Sequence, residues 1–403
     1  MWKRGGYLTD IKYRFGFLPK FGKPTKKRVW IQAVSVGEVK ALSKLLEFFK
    51  KDDRYEIFLT TTSSTGYTLA KKLYSKVVAF VGLFPWDFWL FSRLAWKRIS
   101  PNVVILMEGE LWPEHLYQAK LCNVPVFLVN ARLSDKTYDR YLKYEGVAHW
   151  LFKHVDKIGV CSEENLKRFV NIGVPRQKLQ FVGNLKFDVD VPVVTAEDKS
   201  RLKNELGFPE DAKIILGSST WPGEEDMLIR CLRMLRKSSA EKWYLVLVPR
   251  HAERREEIMG LLRRTSFLWH QRSLGVAKRR VDICLADTTG ELAQLTSLSD
   301  IAFIGKSLLK NNGGQSPIDA AAYGIPIVYG NRMSNFASIC QSLEVLGGAT
   351  KVYDATQAVQ AIATLANNPQ KRAQQAQLLR TWYAGNCGAS ELTYKIITEY
   401  LFR

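Results

Sequence analysis

The sequence predicts an α/β protein built from two Rossmann-like domains. Three observations carry that prediction: a length of 403 residues, an ordinary globular composition, and two successive series of strand-length apolar runs separated by helical stretches. Single cores stop growing at roughly 250–300 residues, so a chain of this size divides. Hydrophobic content of 46% beside 24% charged residues is that of a folded chain.

The first series runs Val29 to Val34, Ile57 to Thr61, Val77 to Val81, Val103 to Leu106 and Val124 to Val129. The second runs Ile214 to Leu216, Trp243 to Val248, Asp282 to Leu285, Ile301 to Ile304 and Ile325 to Tyr329. Such alternation is the pattern of a parallel sheet with crossover helices. Between the series, Gly183 to Thr195 carries Asp188, Asp190 and Pro192 with no sustained helical period, which makes it the linker. The expected division is a basic, aromatic segment over 1–28, a first domain over 29–188 and a second over 189–403. Ligands of these sheets bind beyond the carboxyl ends of the strands, so two domains facing across a cleft would line it with their strand-end loops.

The six cysteines are scattered without a C-x-x-C pair, and the five histidines include no H-E-x-x-H. This pattern predicts reduced thiols, no metal and no cofactor. A net charge of +20 implies an anionic partner: nucleic acid, an acidic membrane or a phosphorylated substrate. In the first 28 residues Lys3, Arg4, Lys12, Arg14, Lys20, Lys23, Lys26, Lys27 and Arg28 oppose Asp10 alone. They alternate with Trp2, Tyr7, Tyr13, Phe15, Phe17 and Phe21. That mixture suits a lipid headgroup surface, with an RNA-binding arm or a solvated terminus as the alternatives.

No run of about 20 apolar residues is present to span a bilayer. Val77 to Phe91, interrupted by Pro85 and Asp87, reads as strand, turn and helix, with Phe84, Trp86, Phe88, Trp89 and Phe91 forming an apolar patch. Trp2 to Asp10 lacks the apolar core of a signal peptide.

The strand-end loops carry the polar motifs. Ser35-Val36-Gly37-Glu38 follows the first strand and opens a helix, where Glu38 suits a general base and equally suits the S-x-x-E capping box. Thr60 to Gly66 offers hydroxyls and amides as an anion cradle, or an ordinary helix cap by one of those residues. Glu108-Gly109-Glu110-Leu111-Trp112-Pro113 exposes two carboxylates, and Arg132 in Asn130 to Ser134 suits either those acids or a phosphate. In the second half, Gly217-Ser218-Ser219-Thr220 permits close approach of a phosphate. Pro249-Arg250-His251 places a forked cation at the same edge. Gly305 to Gly330 passes from a strand through Asn311-Asn312-Gly313-Gly314 to a helix begun by Ser316-Pro317, with Asp319 one turn in. That arrangement suits a phosphate at the amides and a ribose at the carboxylate.

Taken in order, these segments resemble the 3-deoxy-D-manno-octulosonic acid (Kdo) transferases, inverting glycosyltransferases of the GT-B fold. The likeness spans nearly the whole chain through VSVGE (34–38), TTTSSTG (60–66), EGELWP (108–113), NARLS (130–134), GNLKFD (183–188), GSSTWPGEE (217–225) and VPRH (248–251). It implies transfer of Kdo from CMP-Kdo to the lipid A precursor, without a metal, in lipopolysaccharide assembly on the cytoplasmic face of the inner membrane. By resemblance Glu38 is the base, and Ser35, Gly37, Thr62, Ser63, Glu108 and Arg132 line the acceptor site. Ser218, Ser219, Thr220, Arg250, His251, Gly305, Lys306, Asn312, Gly313, Gly314, Gln315, Ser316 and Asp319 hold the donor.

Two departures stand out. The family's G-G-H-N and P-L-E-P become Gly313-Gly314-Gln315-Ser316 and Pro317-Ile318-Asp319-Ala320, with a shorter carboxylate. The family commonly begins with a hydrophobic anchor, whereas this sequence opens inside the basic segment that follows one, so either an anchor precedes it or peripheral contact suffices. The rival readings are a GT-B enzyme using a UDP-sugar and a basic RNA-binding protein. For the latter the chain offers no recognised module or aromatic platform, so nucleic acid is not an expected partner.

Overall fold

The computed structural model describes residues 10–188 and 191–402. Trp2, Lys3, Arg4, Tyr7 and Asp190 lie outside the described residues. The chain divides into two compact units, one of residues 1–190 with 386–403 and the other of residues 191–385.

The first unit holds a seven-stranded parallel sheet of β1 (Lys27–Ala33), β2 (Tyr55–Thr61), β3 (Phe80–Leu83), β4 (Val103–Met107), β5 (Val126–Ala131), β6 (Lys157–Val160) and β7 (Leu179–Phe181), in the order β3-β2-β1-β4-β5-β6-β7. The second repeats the plan with β8 (Lys213–Thr220), β9 (Trp243–Pro249), β10 (Trp269–Gln271), β11 (Ile283–Leu285), β12 (Ile301–Ile304), β13 (Ile327–Gly330) and β14 (Ala349–Val352), in the order β10-β11-β9-β8-β12-β13-β14. Central strands such as β1 and β8 are covered on both faces, which is why they appear in the sequence as unbroken apolar runs. Strand order reverses beside β1 and again beside β8. At such a reversal the loops leaving adjacent strands diverge, and a crevice opens above the carboxyl ends.

Two expectations change. The apolar run at Val77 enters the third strand late: Val77 and Val78 belong to a turn, because pairing of Phe58 with Phe80 sets the register. Residues 386–403, assigned by sequence to the second domain, fold with the first unit. The helix Ala389–Leu401 lays Ala389, Thr393 and Ile397, spaced four apart, on that unit's sheet, where Ala389 and Ile397 join Val39, Leu45, Leu46, Phe127 and Val129 in the core. Tyr400 donates to Asp156 at 3.0 Å, and the Gly388 amide donates to Asp188 at 2.7 Å.

The terminal segment is also less free than its composition suggests. Arg28 is buried, donating to Glu56, to the Ile99 carbonyl and to the Gly22 carbonyl at 2.6–2.9 Å, with its guanidinium 5.1 Å from the Phe58 ring centroid. Arg14 is buried against the carbonyls of Phe84 and Thr62. Both serve the fold, whereas Lys12, Lys20 and Lys23 remain exposed.

Ile397→Ala is expected to destabilise the first unit by about 2–4 kcal/mol through the cavity it leaves. Urea denaturation followed by amide exchange on β1 and β4 checks this. A loss confined to the amides of β8 and β12 would return the helix to the second unit.

Candidate active site

In the first unit the crevice lies over β1 and β4. Ser35 caps the helix Val36–Ala41, its hydroxyl oxygen accepting from the Glu38 amide at 3.4 Å. Glu38 turns back over the same turn: Ser35 donates to Oε1 and the Val34 amide donates to Oε2, both at 2.8 Å. The capping contacts and a fixed carboxylate are therefore one arrangement. Only 7% of Glu38 is exposed, and burial pushes its carboxyl above the usual range. Glu108 adds to that push, while the Val34 amide, Ser35 and Lys186 oppose it.

The loop after β4 enters through Glu108, a non-glycine residue at φ 56°, and Asn130 at the end of β5 also stands in the left-handed region at φ 52°. Backbone strain of this kind collects where function requires a particular geometry. The Glu108 carboxylate is clamped between Lys186, 2.8 Å from Oε1, and Arg132, 2.7 Å from Oε2. Asn130 accepts from the Leu185 amide at 3.0 Å, tying the NARLS and GNLKFD segments together. Next door the Ser63 amide donates to the Val34 carbonyl at 3.0 Å. Ser63 caps the helix Ser64–Tyr74, and Thr62 accepts from Gln32 at 2.7 Å. Ser35, Thr62, Ser63, Glu38, Glu108 and Arg132 thus gather at neighbouring strand ends, with Gly37 exposed on the same turn.

In the second unit the crevice lies over β8, β9 and β12, adjacent strands that end in GSST, PRH and GKS. Ser219 and Lys306 again adopt left-handed backbone at φ 54° and 59°. Gly305 packs so tightly on the first loop that a Cβ would stand 2.4 Å from the Ser219 carbonyl oxygen. At Gly314, φ 70°, a Cβ would meet the Met333 sulfur at 2.2 Å. Both positions exclude a side chain. The amides of Gly314 and Gln315 fold back onto the carbonyls of Lys306 and Gly305 at 3.0 and 3.2 Å.

Trp221 stacks edgewise with His251 at 5.4 Å, and the Lys306 ammonium lies 4.9 Å from its ring centroid. The Arg250 amide donates to the Thr220 carbonyl at 3.1 Å, leaving the exposed guanidinium at the edge. Ser218 pairs with Ile304 at the end of the β8–β12 ladder. Asn312 is exposed, Ser316 accepts from the Ile318 amide at 3.3 Å, and half-buried Asp319 sits in the first turn of the helix Ile318–Tyr323.

A family model described as 3-deoxy-D-manno-octulosonic-acid transferase (kdotransferase) matches residues 9–189. The 3-deoxy-D-manno-octulosonic acid transferase of Haemophilus influenzae is 29% identical over 402 residues, covering 98% of this chain and 92% of its own. That of Bordetella pertussis is 28% identical, covering 100% and 95%. Over nearly its whole length the chain is similar to the Kdo transferases. A solved glycosyltransferase from Rickettsia africae, 13% identical, covers 94% of this chain and 98% of its own with a TM-score of 0.61, and it shares the GT-B fold.

Two residues escaped the sequence reading of the site. Lys186 lies in a quoted motif, but only the fold reveals its contact with Glu108. Glu110 looked like a second surface acid. Burial, then Glu38 and Glu108, push its carboxyl up to about 7. The spacing E-x-E was visible in the sequence, whereas the approach of Glu38 was not.

Glu110 sets a pH dependence. Its carboxyl titrates near 4.5 when unfolded and near 7 when folded. In that window the unfolded chain binds fewer protons, so stability falls as pH rises. Glu110→Gln is expected to melt higher than the parent at pH 8, by on the order of 2 kcal/mol after allowance for partial exposure. The gain should fade towards pH 4.5, and thermal melts across the range check this. A gain equal at both ends would deny the raised carboxyl.

Proposed function

We infer that this chain transfers Kdo from CMP-Kdo to the lipid A precursor, lipid IVA, with inversion at the anomeric carbon, in lipopolysaccharide core synthesis. The arrangement of Glu38 carries the reading: a buried carboxylate held on both oxygens at the β1–β4 crevice, with burial raising its basicity. Glu38 takes the proton of the acceptor hydroxyl as that oxygen attacks the anomeric carbon. The bond from that carbon to the phosphate oxygen breaks, and CMP leaves with the electron pair. Arg250 and Lys306 meet the charge that collects on the departing phosphate, so this reading needs no metal. Asp319 suits the ribose, and Arg132 and Lys186, already orienting Glu108, suit the phosphorylated acceptor.

The acceptor is a lipid, and the first unit offers a surface for it. Among the described residues no helix is long and apolar enough to cross a membrane. Phe17, Trp86, Phe88 and Trp89 are each about half exposed, and Phe15 packs on Trp86 and Phe91 at 4.9 and 5.3 Å. With exposed Lys12, Lys20 and Lys23, this patch suits the anionic cytoplasmic face of the inner membrane.

Glu38→Gln is expected to keep its melting temperature and its affinity for CMP while turnover falls by about 10²–10⁴. Product mass after incubation with CMP-Kdo and lipid IVA reads the loss. A variant that stays active would reduce Glu38 to a helix cap, and protection of the parent by UDP in place of CMP would assign the site to another sugar nucleotide.

Sedimentation with anionic vesicles should weaken as salt shortens screening from about 8 Å at physiological strength to about 3 Å at 1 M. It should weaken further in Lys12→Ser with Lys20→Ser, and in Trp86→Ser with Trp89→Ser. Binding indifferent to all three changes would remove the patch from the membrane contact.

A further inference from the structure

The β8–β12 crevice contains an anion of its own. Glu224, the first residue of the helix Glu224–Ser238, has no exposed surface. Its Oε2 accepts from the amides of Trp221 and Lys306, each at 2.9 Å. Its Oε1 accepts from the amides of Ser307 at 3.0 Å and Leu308 at 3.1 Å. A carboxylate has about four acceptor positions, so these bonds saturate it. Successive amides converging on one point form the kind of nest that elsewhere holds a phosphate. Here the nest is filled from within, and the phosphate of a nucleotide must find other partners.

Those partners stand at the rim. The left-handed backbone of Lys306, which the carboxylate fixes, directs its ammonium over the Trp221 ring at 4.9 Å, and among the described residues no carboxylate pairs with it. A Cβ on Gly313 would lie 3.6 Å from that ammonium, so the glycine-rich loop passes beside it. The Trp221 indole N–H and the Thr220 hydroxyl are buried without a hydrogen-bond partner among the described residues. A cation and two unsatisfied donors, on the two loops that Glu224 joins, match the needs of a phosphate monoester.

We propose that Glu224 is a positioning residue for the nucleotide, joining the β8 and β12 loops so that Lys306, with the Trp221 indole and the Thr220 hydroxyl, meets the donor phosphate. This rests on the reading of the second unit as the nucleotide site. Glu224→Gln leaves one oxygen to accept and turns an amide donor against two amide donors, so the loops must part or rotate. The phosphate contact should fail while contacts to base and ribose persist.

The test compares nucleoside with nucleoside monophosphate. Calorimetric affinities of the full chain for cytidine and CMP, and for uridine and UMP, are measured in the parent, in Glu224→Gln, in Lys306→Met and in the double variant. The parent should prefer the monophosphate. Each single variant should lose about tenfold or more of that preference with nucleoside affinity unchanged, and the double variant should lose no more than either alone. If Glu224→Gln does not fold, Glu224→Asp, which draws the charge back by one methylene, is read the same way.

A lowered melting temperature with an unchanged preference would make Glu224 a scaffold residue, as would failure of both variants to fold. An unchanged preference in Lys306→Met would remove Lys306 from the phosphate, and strict additivity would separate the two residues. Any of these outcomes overturns the proposal. Preference of the parent for UMP would overturn the CMP reading instead, while the nucleoside comparison still tests Glu224.

Discussion

Both units depend on the reversal of strand order beside their central strands. A parallel sheet wound outward from its middle, with right-handed crossovers on each side, must send the loops after two neighbouring strands in opposite directions. In the first sheet those strands are β1 and β4, and in the second β8 and β12. Where those strands diverge stand Glu38 and Glu108 in one unit, and Ser219, near the end of β8, with Lys306 in the other. Glu108, Ser219 and Lys306 hold left-handed backbone without being glycine, as does Asn130 one strand further out. Packing of the two sheets supplies the energy that keeps these conformations, and the motifs mark where it is spent.

This dependence explains which parts of the fold were legible. Strands covered on both faces declare themselves as apolar runs: β1 and β9 were read within a residue or two, while β8 was found but ended at Leu216 instead of Thr220, because the run turns to small polar residues there. β6, with alternate residues half-buried, and β10, half-buried throughout, carry too weak a pattern and were missed. The helix Ala389–Leu401 shows an amphipathic stripe, but a stripe does not say which sheet it covers. Its partners lie more than three hundred residues earlier in the chain, at Leu45 and Leu46.

The candidate site divides along similar lines. Single loops such as SVGE or GSST announce themselves because small and polar residues follow an apolar strand. Of the features made by two loops at once, the meeting of Arg132 with Glu108 was among the readings offered, but three escaped: Lys186 reaching Glu108, Glu110 pushed up by Glu38 and Glu108, and Glu224 crossing from the β8 loop to the β12 loop. Spacing along the chain records what a loop contains. It does not record what leans on it.

The two crevice carboxylates show how one local device can leave different acceptor positions free. Glu38 and Glu224 each sit in the first turn of the helix after a central strand, and burial raises both above the usual carboxyl range. Glu224 accepts four amide hydrogen bonds, which use its acceptor positions and leave no direction from which another proton can arrive. Glu38 accepts from one amide and one hydroxyl, so each oxygen keeps a free position. Capping and base catalysis are therefore not rivals at Glu38. The two bonds of the cap fix the orientation of the carboxylate, and the two positions they leave open are those an acceptor hydroxyl can use.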